Sequence, residues 1–141
     1  GSGMSPLFSI IQHRQKQQQK NGKLPPCILF FEGKNESAYP LLLDKLINFH
    51  KSGIITDLVT TFWGDTPKKV HLQDKMKEKA AKIWDLWMDV RTPFYYCGPL
   101  RKIPEELKEI LLQVIINEGW MAREEAMAVN NRHDFNFIQN V

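Results

Sequence analysis

The sequence predicts an α/β protein built on a doubly wound parallel sheet, with the first central strand of that sheet missing from this chain. Two features of the sequence point there. Short apolar runs closed by glycine or proline alternate with longer amphipathic stretches, the signature of strands joined by crossover helices. In addition, Gly1-Ser2-Gly3 leads straight into a helical pattern, as the turn after a first strand would, yet no strand precedes it. The 141 residues, 43% of them hydrophobic and 25% charged, suit one domain, 1–141, with a core of its own. The chain is read as the C-terminal piece of a longer polypeptide, or as one whose sheet a neighbouring segment completes, the plainer alternative being that Gly1-Ser2-Gly3 is foreign and Met4 the native start.

The elements follow in order. Pro6 sits in a first helical turn, where its missing N–H costs nothing, and Leu7, Phe8, Ile10 and Ile11 begin a helix that runs to about Lys20 and stops near Asn21-Gly22. Cys27 to Phe31 is a continuous apolar run expected to be a strand buried on both faces. Leu41 to Phe49 carries a helical stripe, closed at Ser52-Gly53. Ile54 to Phe62 is a second strand, rich in β-branched residues, and Gly64-Asp65-Thr66-Pro67 a turn. Met76, Ala80, Ile83, Trp84 and Trp87 recur at spacings of three and four, predicting one helix. Thr92 to Cys97 is a strand ending in Gly98-Pro99. Leu107 to Ile115 begins a helix stopped at Gly119, Ala122 to Asn131 is a last helix, and Phe135 to Ile138 a last strand.

Several function classes are excluded. A net charge of +3, from 19 basic and 16 acidic residues without a basic block, argues against nucleic acid as a partner. Two cysteines make no disulfide framework and point to a reducing, cytoplasmic setting. No apolar run approaches the ~18 residues of a membrane span, and no secretory apolar region follows the N-terminus. His13, His50, His71 and His133 are scattered away from the cysteines, so no metal is expected. A Gly-x-Ser-x-Gly elbow is absent, which speaks against a serine hydrolase. Trp84 and Trp87 lie on the apolar stripe and are read as core.

Ligands of open parallel sheets bind at the carboxyl ends of strands, near helix N-termini. Gly1-Ser2-Gly3, Gly33-Lys34-Asn35, Trp63-Gly64-Asp65 and Cys97-Gly98-Pro99 all fall there. Glycines admit a phosphate to the backbone, and Lys34 with Lys68-Lys69 offers cations. Cys97 has two readings, a small buried hydrophobe or a thiol at a strand tip facing a ligand ring.

Taken together, these residues resemble the C-terminal NADP(H)-binding module of the ferredoxin–NADP reductase family, in its diflavin reductase branch. Gly1-Ser2-Gly3-Met4-Ser5-Pro6 is similar to the family's Gly-Thr-Gly-(Ile/Leu)-Ala-Pro, and Gln12-His13-Arg14 to Gln-x-Arg. Phe30-Phe31-Glu32-Gly33-Lys34-Asn35 resembles Phe-Phe-Gly-Cys-Arg, with Tyr39 as the aromatic after it. Lys69-Val70-His71-Leu72-Gln73 resembles Lys-Val-Tyr-Val-Gln, and Phe94-Tyr95-Tyr96-Cys97-Gly98 the Phe-Tyr-x-Cys-Gly strand. Glu118-Gly119 and Arg123-Glu124-Glu125-Ala126 resemble the closing helices.

The resemblance implies NADP(H) as cofactor, with NAD(H) as the other option, and FAD and an FMN on other domains. It implies an FAD-binding domain earlier in the same polypeptide and a downstream electron-acceptor protein as partners. Gly1, Ser2, Gly3 and Pro6 would hold the pyrophosphate, with Lys34 in place of an arginine. Trp63, Lys69, His71 and Gln73 would meet the adenosine end, and Gly98 and Arg101 would complete the cofactor site. Cys97 would stand beside the nicotinamide, with Asn136 as the second catalytic position.

The departures define an alternative. The family's Ser-Arg pair for the 2′-phosphate is here Trp63-Gly64, Cys-Gly-Asp is Cys97-Gly98-Pro99, and the closing carboxylate is Asn136. The aromatic that shields the flavin is replaced by Ile138 or displaced to Phe137. A module that has lost catalysis and serves as a structural or interaction domain would show the same changes.

Overall fold

The computed structural model describes residues 5–62, 64, 71–98 and 103–139. It is an α/β structure of parallel strands and helices α1 to α6, divided into two compact units, Ile10–Met76 and Lys77–Val141 with Gly1–Ser9. Among the described residues the strands form two parallel pairs, one in each unit, rather than one hydrogen-bonded sheet.

In the unit Ile10–Met76, helix α1 (Ser5–Asn21) is anchored by Arg14, whose Nε donates to Ile54 O (3.1 Å) and whose Nη2 donates to Pro25 O (2.7 Å). It stops where Gly22 turns left-handed (φ 75°), as the sequence predicts. Strand β1 (Ile28–Gly33) runs parallel to β2 (Asp57–Phe62), in register from Ile28 opposite Asp57 to Gly33 opposite Phe62. Leu29 and Phe31 are buried, but Ile28 and Phe30 only half so, and the expectation of burial on both faces holds for one. Helix α2 (Pro40–Lys51) turns Leu43 and Leu46 into the core.

The exit from α2 also corrects the start of β2. Gly53 is left-handed (φ 83°), its N–H donates to His50 O, and Ile54 N–H reaches back to Phe49 O (3.0 Å), a Schellman closure. Ile55 N–H is spent on the same Phe49 oxygen (3.1 Å). Both isoleucines are therefore buried core residues of the helix exit, and the ladder begins only at Asp57.

The stripe from Met76 to Trp87 is two helices, α3 (Leu72–Glu78) and α4 (Ala80–Trp87), not one. Lys79 leaves the helical region (φ −97°, ψ 19°) between them, and no side chain caps α4 there. The unit Lys77–Val141 then adds β3 (Phe94–Gly98), α5 (Ile103–Gly119), α6 (Arg123–Asn131) and β4 (Phe135–Gln139). Leu107, Leu111 and Ile115 of α5 are almost wholly enclosed, as is Ala126 of α6.

Trp87 is the hub of this core. Its Nε1 donates to Asn130 Oδ1 (3.0 Å), and Asn130 Nδ2 donates to Lys108 O (3.3 Å), which ties α4, α5 and α6 together. Its indole stacks on His133, centroids 3.4 Å apart and 5° from parallel. The His133 ring spans two carbonyls, Nδ1 lying 2.8 Å from Thr92 O and Nε2 2.8 Å from Trp87 O.

Helix α5 stops at Gly119, as the sequence predicts. Met121 N–H donates to Ile116 O (3.3 Å), again a Schellman bond, but the left-handed residue is Trp120 (φ 54°) and not Gly119. Gly119 is needed one place earlier, since a Cβ there would lie 2.8 Å from the Trp84 ring. The indole of Trp120 itself is 92% exposed.

Candidate functional site

The candidate residues fall into two groups, one in each unit. Gly1, Ser2, Gly3, Trp63, Lys69 and Arg101 lie outside the described residues, as does Pro99. Pro6 is half-buried in the first turn of α1.

In the unit Ile10–Met76, the loops leaving β1 and β2 meet. Gly64 N–H donates to Lys34 O (2.7 Å), and a Cβ on Gly64 would stand 2.6 Å from that oxygen, so only glycine allows the approach. Lys34 extends an exposed side chain from this junction. Gly33 is held as closely, with the Tyr39 ring 2.8 Å from where its Cβ would be. Tyr39 and Phe62 pack edge-on against Phe31, at 5.5 and 6.3 Å between centroids.

His71 and Gln73 stand at the start of α3, which two carboxylates already serve. Asp74 Oδ2 accepts from His71 N–H (3.1 Å), one half of a capping box. Glu32 Oε2, from the end of β1, accepts from Leu72 N–H (2.7 Å) and lies 3.7 Å from His71 Nδ1. Sequence reasoning passed over Glu32. The only signal was an acidic residue inside an apolar strand, and its partner is 40 positions away.

In the unit Lys77–Val141, β3 and β4 are paired in parallel with Tyr95 opposite Asn136 and Cys97 opposite Ile138. Cys97 and Asn136, the two predicted catalytic positions, therefore share one face of the pair, diagonally placed on neighbouring strands. Asn136 Nδ2 donates to Phe94 O (3.2 Å), which leaves its amide oxygen and the second Nδ2 N–H to offer a ligand. Cys97 forms no disulfide, and desolvation pushes its thiol above the usual range, so it is a neutral thiol near pH 7. Gly98 lies under the Tyr96 hydroxyl, which would be 2.6 Å from a Cβ.

Phe137 is not a displaced flavin shield on the Cys97 face. Strand alternation puts it on the opposite face, where it stacks on Phe135 (5.9 Å, 7°), tilts against Phe94 and Tyr96, and sits below Lys108 Nζ at 5.5 Å. The residue beside Cys97 is aliphatic Ile138.

Among the described residues no group of three or more His, Cys, Asp and Glu could hold a metal ion. Nor is any described helix long and apolar enough to cross a membrane.

The architecture is that of an α/β protein with parallel strands. Comparison with known proteins narrows the class. The chain is 30% identical over 128 residues to the sulfite reductase [NADPH] flavoprotein alpha-component of Bacillus subtilis (strain 168), covering 91% of this chain and 20% of that protein. It is 30% identical over 122 residues to the NADPH–cytochrome P450 reductase of Dictyostelium discoideum, covering 84% of this chain and 17% of that protein. It is 26% identical over 136 residues to the methionine synthase reductase of Mus musculus, covering 90% of this chain and 19% of that protein. No family model matches the chain. Its homologues are thus diflavin reductases, and it spans about a fifth of the length of the curated relatives it matches.

Proposed function

We propose that the chain is the NAD(P)H-binding half of a cytoplasmic, flavin-dependent electron-transfer oxidoreductase. One observation carries this. Relatives named for different partners (sulfite reductase, cytochrome P450, methionine synthase) are matched by nearly all of this chain, across only about a fifth of their own length. A segment common to proteins with different acceptors serves what they share, and NADPH stands in two of the three names.

The residues suit such a ligand. The Gly64–Lys34 junction lets main chain approach a phosphate closely, and Lys34 brings an exposed cation to it. His71 and Gln73, with Lys69, would receive the adenosine end. Cys97, a neutral thiol, would position the nicotinamide without attacking it, and the Asn136 amide oxygen would accept a hydrogen bond from the same ring system. Bound NAD(P)H would supply a hydride for an FAD carried by a preceding domain, from which electrons would pass, through an FMN, to an acceptor protein. A first sheet strand from that preceding segment belongs to the same proposal. Within the branch, Met4-Ser5-Pro6-Leu7 and Lys102-Ile103-Pro104 favour an oxidoreductase of cytosolic iron–sulfur assembly.

Calorimetric titration of the full-length protein with NADP⁺, NAD⁺ and 2′-AMP tests the reading. Micromolar binding of at least one is expected, and silence toward all three would overturn it. The second reading, a structural module without turnover, draws on Trp63-Gly64, Pro99 and Asn136 and on the carboxylates at the start of α3. Binding without any NAD(P)H-dependent flavin reduction would favour it.

A further inference from the structure

We infer that His133 is a charged clasp in the unit Lys77–Val141: only as the imidazolium does it donate to the carbonyls of Trp87 and Thr92 together, so the exit of α4 loosens from β3 and β4 when that proton is lost. This holds whatever ligand the chain binds. The residue is 6% exposed, and its ring nitrogens Nδ1 and Nε2 each lie 2.8 Å from a main-chain oxygen, the first from that of Thr92 and the second from that of Trp87. A carbonyl can only accept, and a neutral imidazole carries one N–H. In the neutral ring a lone pair would therefore face one of these oxygens at hydrogen-bond distance, away from water. The doubly protonated ring satisfies both.

Three neighbours suit a cation at this place. Trp87 is the last residue of α4, so its carbonyl belongs to the negative end of that helix. The Trp87 indole covers the ring at 3.4 Å and 5° from parallel, presenting its π face to the charge. Asp89, in the turn after α4, is a carboxylate held low chiefly by its hydrogen bonds from Arg91 and, in smaller part, by the charge of His133. The remaining charges of this packing are directed elsewhere. Arg91 is paired with Asp89 at 2.9 Å, and Lys108 of α5 holds its Nζ 5.0 Å from the Phe135 ring centre. Lys82 and Asp85 of α4 are exposed, as are Arg132 and Asp134 beside the ring, while β3 and the last turn of α6 carry no charged residue. The clasp also sits where the strand pair begins, since Asp134 O accepts the Phe94 N–H at 2.9 Å.

The test is hydrogen exchange of the full-length protein, read by mass spectrometry over residues 86–96 and 131–138 at about pH 6 and about pH 8 and corrected for the intrinsic pH dependence of amide exchange. Protection there is expected to fall about tenfold toward the higher pH, the loss of one charge-assisted hydrogen bond, while β1 keeps its own. His133→Gln offers donors from one nitrogen only, and His133→Phe keeps a ring on the Trp87 face but offers none. Both should be as weakly protected at about pH 6 as the wild type is at about pH 8, with no further fall. His50→Gln, which alters the imidazole whose Nδ1 lies 3.0 Å from Ile55 O, should leave the wild-type fall in place. Wild-type protection that stays flat, or that rises toward the higher pH as a neutral ring would require, overturns the inference. A fall that persists in either His133 variant overturns it too, and where neither variant folds the sign of the wild-type change still decides.

Discussion

Replacing Asn130 by alanine removes a side chain that joins Trp87 to α5 by hydrogen bonds. Asn130 is 6% exposed, accepts from the Trp87 indole N–H at 3.0 Å and donates to Lys108 O at 3.3 Å. In the Asn130→Ala protein the indole N–H has no acceptor and no route to water, which costs ~1–3 kcal/mol. The Lys108 oxygen, inside α5, keeps its helical partner, so its loss adds only ~0.5 kcal/mol. A total of about 1.5–3.5 kcal/mol follows, and at ~2–4 °C per kcal/mol for a chain of this size the melting temperature should fall roughly 3–14 °C. Urea unfolding followed by tryptophan fluorescence measures the free energy, and calorimetry the temperature. Asn130→Asp should also destabilise near pH 7, because a carboxylate facing Lys108 O cannot donate. It should recover toward acid pH, where the protonated carboxyl regains a donor. An alanine variant within about 0.5 kcal/mol of wild type would refute the bridging role.

Three further expectations follow from the same structure. Cys97→Ala should change stability by no more than about 1 kcal/mol yet slow NAD(P)H-dependent flavin reduction on the order of tenfold to a hundredfold in the intact protein, and stopped-flow absorbance checks the second part. Asp89 is held at about 2 by hydrogen bonds from the Arg91 side chain and N–H, so its contribution is present above the unfolded value of 3.8 and lost as pH falls toward 2. Asp89→Asn should flatten that stretch of the acid limb in urea midpoints measured against pH. Gly64→Ala should cost ~1–3 kcal/mol in urea unfolding, because its Cβ meets a backbone oxygen and not a yielding side chain.

What could be read in advance were features set by neighbours in the chain. Gly53 closes α2 as a left-handed residue one turn after the apolar stripe ends, and the strand tips are marked by Gly33 and Gly98. What could not be read depends on partners far along the chain. Ile54 and Ile55 look like a strand start, but the Phe49 carbonyl takes their amides first. Lys79 interrupts an unbroken helical period without any breaker residue to announce it. Glu32 and Leu72 meet across 40 positions, a distance over which composition carries no signal. The side of β4 that Phe137 occupies was equally open, until the pairing of Tyr95 with Asn136 settled which residues share the Cys97 face.

The corner between α5 and α6 asks two things of glycine and receives only one. Trp84 leaves no room for a side chain at 119, so the glycine is committed to close packing, and the left-handed bend one step later falls to Trp120 at roughly 1–2 kcal/mol. Positions 84 and 119 are thus linked in what they tolerate. A smaller residue at 84 would release 119 to carry a side chain, whereas a glycine at 120 would relieve the backbone with the packing untouched. Substitutions at 84 and 119 are best understood as a compensating pair, while 120 answers to the backbone alone.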